Sequence, residues 1–434
     1  MLGSSKRAKG IGDQLKNSNM VAEASASKFC VVDLAVFGGS PLFQQLLYVG
    51  RPSVPDPERL LARLRGVVDR KWLTNDGPEV REFEREVAAL LGVRHCVAMC
   101  NGTAALQIAI RAAGLDGEVI VPSFTFIATA HALEWQGIQP VFCDIDDSLC
   151  LDPREVEKLI TSRTTGVIGV HLWGHACNVE SLTDLCRRRN LTLLFDAAHA
   201  FGCSHSGKMI GSFGRAEVFS FHATKFVNTL EGGAVATNDE DFAERCRAMR
   251  NFGFSGEDEV SSLGINAKMN EFEAAMGLAS LAQMDQVVEA NKGNYLEYQK
   301  GLEDTPGLRI RRYDLHERNN FQYIAVEVGA DAGVSRDQLH ELLRAENILA
   351  RRYFYPGCHR MEPYRSRAAT AERHLPRTAR ASDTMLCLPT GTSIDAATIS
   401  AICALLRFAV RNHGEIEDRW EARTKVPLPA GILR

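Results

Sequence analysis

Several familiar signatures are missing from this 434-residue chain. It has 12 cysteines but no C-x-x-C pair and no regular cysteine framework; Cys96, Cys143, Cys186, Cys246 and Cys403 sit inside apolar or helical patterns. A disulfide scaffold is thereby excluded, and reduced core thiols are expected, which places the chain in the cytoplasm. No apolar run approaches the length of a bilayer span, so no membrane partner is expected. Residues 1–28 carry Lys6, Arg7, Lys9 and Lys16 without an apolar core, so they read as a flexible extension and not a secretory signal. Basic charge is not in excess either: the formal net charge is −4, and a nucleic-acid partner has no electrostatic support. Gly102 does not belong to a G-x-G-x-x-G turn, so a nicotinamide cofactor has no fingerprint. The HLWGH stretch holds His171 and His175 four apart, but it lacks the glutamate of H-E-x-x-H and Gly174 interrupts the face. These histidines, and His199, Cys203 and His205, are therefore not read as metal ligands.

What is present is an α/β pattern. Val80, Phe83, Val87 and Leu90 form a helical stripe within Pro78–Leu91. Short strand-like runs follow at 96–100, 119–121, 140–143, 166–170, 191–195, 218–221 and 234–237, with helical stretches between several of them. Strands alternating with helices imply layers around a largely parallel sheet. Asn270 to Lys300 reads as one long helix, since no proline interrupts it. Beyond it come a strand at 321–328, a helix at 336–346, a loop at 351–363 and a last helix at 396–410. We expect an N-terminal extension over 1–40, a large domain over 41–290 and a smaller C-terminal α/β domain over 291–434.

Open α/β sheets bind ligands at the carboxyl ends of their strands, so reactive residues just past each strand are the candidates. Past four of them stand Asn101-Gly102-Thr103, Ser123 to Phe126, Asp196 to His199, and His222 to Lys225. Together they offer an amine, a carboxylate, an aromatic face and a Gly-Thr helix start. Pyridoxal 5′-phosphate has a matching aldehyde, basic ring nitrogen, flat ring and phosphate. A helix N-terminus suits the phosphate, and Gly102 lets the backbone approach it while Thr103 adds a hydroxyl. Asp196 opposite the ring nitrogen keeps it protonated, Phe126 covers a ring face, and Lys225 is the amine that traps the aldehyde and then moves protons. Each residue also has a plain alternative: a solvated lysine, a capping aspartate, a helix start, a core aromatic. The combination in chain order favours the cofactor.

The chain resembles the sugar aminotransferases of the DegT/DnrJ/EryC1/StrS family, from about Tyr48 to about Leu406. The matching motifs are TNDGPEVREFE (74–84), NGTAAL (101–106), PSFTFIATA (122–130), DAAHAFG (196–202), SFHATK (220–225), EGGA (231–234) and GINAKMNEFEAAMG (264–277). The resemblance implies the aspartate-aminotransferase type of fold (fold type I), with a mixed, mostly parallel sheet flanked by helices and a smaller C-terminal domain. It implies Lys225 as the Schiff-base lysine and Asp196 as the partner of the ring nitrogen. Gly102, Thr103 and Ser220 then hold the phosphate, Phe126 stacks, and His199 lies near the ring hydroxyl. Asn266 matches an asparagine that reaches the neighbouring subunit's cofactor, which implies a homodimer with shared active sites.

Relatives with histidine in place of this lysine are dehydratases; the retained Lys225 favours transamination. HATKFVNTLEGG is similar to enzymes that aminate C4 of dTDP-4-keto-6-deoxyglucose, with glutamate as the amino donor. A 3-aminotransferase on the related 3-ketosugar, or a binder of pyridoxal phosphate without catalysis, stays open. For the nucleotide-sugar, the stretch RRYFYPGCHRMEPYR (351–365) offers Arg351, Arg352, His359 and Arg360, with His359 the candidate ligand by resemblance.

Overall fold

The computed structural model describes residues 28–367 and 375–425, so all but the last residue of the extension expected to be flexible over 1–28 lies outside the described residues. Seven strands form the larger sheet: β1 (His95–Met99), β2 (Glu118–Pro122), β3 (Gln139–Cys143), β4 (Thr164–Val170), β5 (Thr192–Asp196), β6 (Ala216–Ser220) and β7 (Gly233–Thr237). Their order is β1-β7-β6-β5-β4-β2-β3. β7 runs antiparallel to both neighbours and the other pairings are parallel. The carboxyl ends of β1, β2, β5 and β6 therefore share one edge of the sheet.

Both faces of this sheet are covered, which is why its strands are apolar almost throughout. In β1, Cys96 and Ala98 pack with Val80, Phe83 and Val87 on one side, while Val97 and Met99 pack with Ile108 and Phe242 on the other. This period-two alternation is what a pleated strand between two helical layers requires.

A second, antiparallel sheet joins β8 (Leu308–Ile310), β9 (Ile324–Val328) and β10 (Met385–Leu388) in that order. Its core also takes Val31, Leu34, Leu42 and Phe43 from the start of the described chain. That segment is pinned by Glu346, which is fully buried and accepts from Ala35 N at 2.8 Å and Leu42 N at 2.6 Å.

The expected single helix over 270–300 is two helices, Glu271–Leu281 and Met284–Leu302. No glycine or proline marks the break. The first helix ends in a tightened turn, with Ala282 N shared between Leu278 and Ser280 carbonyls and Gln283 N bonded to Ser280 O. The break lets the second helix start in one core, at Met284 and Val287, and finish in the other, at Tyr295, Tyr298 and Leu302. Most other expected elements are present with ends shifted by one or two residues. The strand expected over 321–328 begins only at Ile324, and residues 321–323 become a lead-in to it.

Candidate active site

A cavity of about 360 Å³ opens at the carboxyl edge of the large sheet. Its walls include Gly102, Thr103, Phe126, Asp196, His199, Ser220 and Lys225, so seven of the residues singled out from sequence come together. The helix Gly102–Ala112 starts in the wall, capped by Asn101, whose side chain accepts from Ala104 N at 2.8 Å. Glycine at 102 suits a close approach: a Cβ there would stand 3.1 Å from the Ser220 Cβ, close enough that the neighbour would have to give by a few tenths of an ångström. Gly233 on β7 is tighter still, since its Cβ would fall 2.6 Å from the Asn101 backbone. The helix start and the end of β6 are thus pressed together, with backbone N–H groups and two hydroxyls around one spot.

Asp196 ends β5 and is buried. Thr129 Oγ1 donates to its Oδ2 at 2.8 Å and Ala198 N to its Oδ1 at 3.1 Å. Burial still pushes its carboxyl above the usual range, opposed by these donors and by the Lys225 charge. Beneath it, His171 N donates to the Asp196 carbonyl at 2.9 Å. Both His171 ring nitrogens are engaged: Nδ1 accepts from Cys177 N at 3.0 Å and Nε2 lies 2.8 Å from Glu217 Oε1. His175 instead stacks on Tyr313, with centroids 4.9 Å apart.

Lys225 Nζ donates to Tyr323 Oη at 3.1 Å. Burial lowers its pKa from 10.5 to about 8, with Asp196 pulling the other way. His199 is driven well below its ordinary pKa, by burial first and the Lys225 charge second, so its imidazole is neutral. Its Nδ1 is buried without a hydrogen-bond partner among the described residues. Phe126 is 58% exposed, an unusual state for an aromatic on a cavity wall.

Two sequence-derived candidates lie elsewhere. His359 is buried, with Nδ1 2.6 Å from Ser123 Oγ, and it is not on the cavity wall. Arg351, Tyr353 and Phe354 of the same stretch are on it. Arg351 forms no ion pair among the described residues, whereas Arg352 pairs with Asp337 at 2.9 Å. Asn266 is exposed, away from this cavity, and its Oδ1 accepts from Lys268 Nζ at 2.8 Å. Tyr323 and Thr129 were not foreseen; Thr129 lies within the quoted PSFTFIATA motif, while Tyr323 carries no sequence signal.

These residues fit pyridoxal phosphate on observations independent of any likeness. Among the described residues a buried carboxylate has no cation bonded to it, a neutral ring nitrogen has no partner, an aromatic face is bare, and burial lowers the pKa of a lysine in the same cavity to about 8. A pyridinium N–H, a ring hydroxyl, a flat ring and an aldehyde complement those four in turn.

Comparison with known proteins agrees. The model of the DegT/DnrJ/EryC1/StrS aminotransferase family matches residues 56–407. The dTDP-4-amino-4,6-dideoxy-D-glucose transaminase of Shigella dysenteriae is 34% identical over 362 residues, covering 83% of this chain and 98% of that one. The GDP-perosamine synthase of Caulobacter vibrioides is 35% identical over 346 residues, 78% of this chain and 92% of that one. The crystal structure of DesI with its TDP-sugar product superposes with a TM-score of 0.87 at 49% identity, covering 90% of this chain and all of that one (100%). The chain belongs to the DegT/DnrJ/EryC1/StrS aminotransferase family, and it is a pyridoxal phosphate-dependent sugar aminotransferase.

Proposed function

We propose that the protein moves an amino group from glutamate to C4 of a dTDP-linked 4-keto-6-deoxy sugar, giving a 4-amino-4,6-dideoxy sugar. The observation that carries the chemistry is Lys225, a cavity amine with its pKa lowered to about 8 beside Asp196. The sugar is taken from the relatives: the Shigella enzyme is named for a dTDP-4-amino-4,6-dideoxyglucose and DesI was solved with a TDP-sugar.

Bound pyridoxal phosphate supplies an aldehyde that carries the amine and a protonated ring that withdraws electrons from the carbon losing its proton. The chain's own groups do the rest. N–H groups of Gly102 and Thr103, with the Ser220 hydroxyl, hold the phosphate at a helix start. Asp196 keeps the ring nitrogen protonated, Phe126 covers one face, and His199 offers its free Nδ1 to the ring hydroxyl. Lys225 Nζ would serve as the group that accepts and returns the proton moved during amine transfer, and burial leaves it a large neutral fraction near pH 8 for that role. Arg351 on the cavity wall is suited to an anionic part of either substrate; His359 supports that loop through Ser123.

A homodimer completes this reading. Trp72, Leu73, Phe252, Leu263, Ile265 and Phe272 are large apolar side chains that stay exposed, at 37% or more. Glu271 N bonds Leu73 O and Phe252 N bonds Ile265 O, and the two segments are linked by Arg250, whose guanidinium donates to Asp76 Oδ1 at 3.2 Å. A second copy of the chain is the fitting cover, with Asn266 carried along this face to the partner's cofactor. The twelve free thiols suit a reducing compartment, the cytoplasm, and no described helix is long and apolar enough to cross a membrane.

Purified protein with pyridoxal phosphate should consume glutamate and dTDP-4-keto-6-deoxyglucose, with amination at C4 seen by NMR. Amination of the 3-ketosugar or of a GDP-linked 4-ketosugar instead would replace the substrate. No cofactor band and no exchange with any amino donor would remove the enzyme reading.

A further inference from the structure

Tyr323 does not come from the strand ends that supply the other cavity residues. It stands on the lead-in to β9, in the second sheet's part of the chain, 98 residues from Lys225. The lead-in is tied to both loops that carry the site. Gln322 Nε2 donates to Thr224 O at 3.0 Å, one residue before Lys225. Asn320 Nδ2 donates to His199 O at 3.0 Å and Phe201 O at 3.1 Å. Tyr313 Oη donates to the Tyr323 carbonyl at 3.0 Å, and the His199 ring lies 4.6 Å from the Tyr323 ring. Each of these contacts fixes where the phenol sits, and its hydroxyl meets the Lys225 amine.

Among the described residues, Tyr323 is the hydrogen-bond partner of Lys225 Nζ. The phenol is buried, and burial holds it well above its ordinary pKa, so it stays a neutral hydroxyl. A neutral hydroxyl can serve both forms of an amine: it accepts from an ammonium and donates to a free amine. A carboxylate in its place would lock the ammonium, and a phenylalanine would leave the amine unsupported.

We propose that Tyr323 is a positioning residue for Lys225, holding its nitrogen in the cavity while the lysine is a free amine and serving both of its protonation states. The proposal rests on the reading of Lys225 as the proton carrier. A tyrosine that only packed against His199 would show none of the effects below, because phenylalanine keeps the ring and its packing.

The first test uses the protein without cofactor. Lys225 is labelled with an amine-selective reagent across pH, and its peptide is followed by mass spectrometry; the wild-type curve should rise through about pH 8. Of the other titratable groups on the cavity wall (Asp196, His199, His222, Glu231, Arg351 and Tyr353), Asp196 is the one whose charge raises the Lys225 pKa, and His199 is neutral. Tyr323→Phe keeps Asp196 and removes the acceptor of a charge-assisted bond, so the curve should move to lower pH. Tyr298→Phe is the control, because its hydroxyl donates to Pro389 O at 2.9 Å, buried in the other core; its labelling curve should match wild type. The second test is single-turnover kinetics of the loaded enzyme. Both half-reactions of Tyr323→Phe should slow by about tenfold to a hundredfold, with KM for each substrate nearly unchanged. An unchanged labelling curve overturns the proposal, and so does a KM increase for the sugar alone, which would make Tyr323 a substrate ligand. If wild type exchanges no amine, the functional reading fails while the labelling result still decides the contact.

Discussion

Two lysines in this chain stand near buried carboxylates, and the fold treats them in opposite ways. Lys28 lies 3.0 Å from Glu346 Oε2, and its Nζ also donates to Asp33 O at 2.7 Å and Ser40 O at 2.5 Å. An ammonium has three donors, and all three are taken. Glu346 is equally complete, with Ala35 N and Leu42 N on its two oxygens. At the cavity the arrangement is left open. Lys225 bonds a neutral hydroxyl, Asp196 bonds a hydroxyl and an amide, and both have shifted pKa values because their charges are buried without direct contact. The closed pair fastens a segment; the open pair keeps two groups ready for a ligand that brings its own charges.

Breaking the open pair should cost function without costing the fold. Lys225→Ala removes the proton carrier, and turnover should fall by at least about a thousandfold. Cofactor retention by the variant, followed by absorbance and dialysis, should persist in part through the phosphate and ring contacts. Asp196→Asn is expected to be milder, about a hundredfold on the scale of one electrostatic contact at a reacting centre. It also removes the charge that supports the Lys225 ammonium, so Lys225 should titrate below its present value of about 8. A labelling curve unmoved in Asp196→Asn would show that the two groups do not sense each other.

Breaking the closed pair should do the reverse. Glu346→Ala strands Lys28 and two backbone donors in a buried place, at a cost of about 3–5 kcal/mol. Urea unfolding should register that loss, while activity per folded molecule at low temperature stays near wild type. A loss below about 1 kcal/mol would mean that the segment around Val31–Phe43 is held by apolar packing alone.

The same contrast explains what the sequence revealed. Gly102, Thr103, Phe126, Asp196, His199 and Lys225 were legible because each follows or ends a strand of a parallel sheet, and topology collects strand ends on one edge, while Ser220 was named only through the family resemblance. Tyr323 was not legible, because it reaches the cavity from the lead-in to the second sheet's β9, and no local pattern encodes that docking. Glu346 was hidden for the same reason, with partners more than 300 residues away in sequence. The break at Ala282–Gln283 escaped because it depends on which core each helix faces, with no glycine or proline to mark it.

The smallest expected effect concerns a carboxylate that is neither closed nor functional. Glu273 lies on the helix Glu271–Leu281, where it accepts from Asn270 N at 3.0 Å in a capping box with Asn270. Burial pushes its pKa from 4.5 up to about 7, and the Glu231 charge adds to this. Because the folded pKa exceeds the unfolded one, the fold favours the protonated form. Its contribution to stability is therefore full below pH 4.5, declines as pH rises towards about 7, and becomes a constant penalty above that. Glutamine can make the same capping box without ionising. Glu273→Gln should stabilise the protein at pH 8 by about 1 kcal/mol, a figure reduced from the full shift because the side chain is half-exposed. At pH 4 the gain should nearly vanish, since glutamate is then mostly protonated in both the folded and the unfolded chain. Thermal unfolding at the two pH values decides it: an equal gain at both would assign the effect to packing or helix propensity and remove charge burial as its cause.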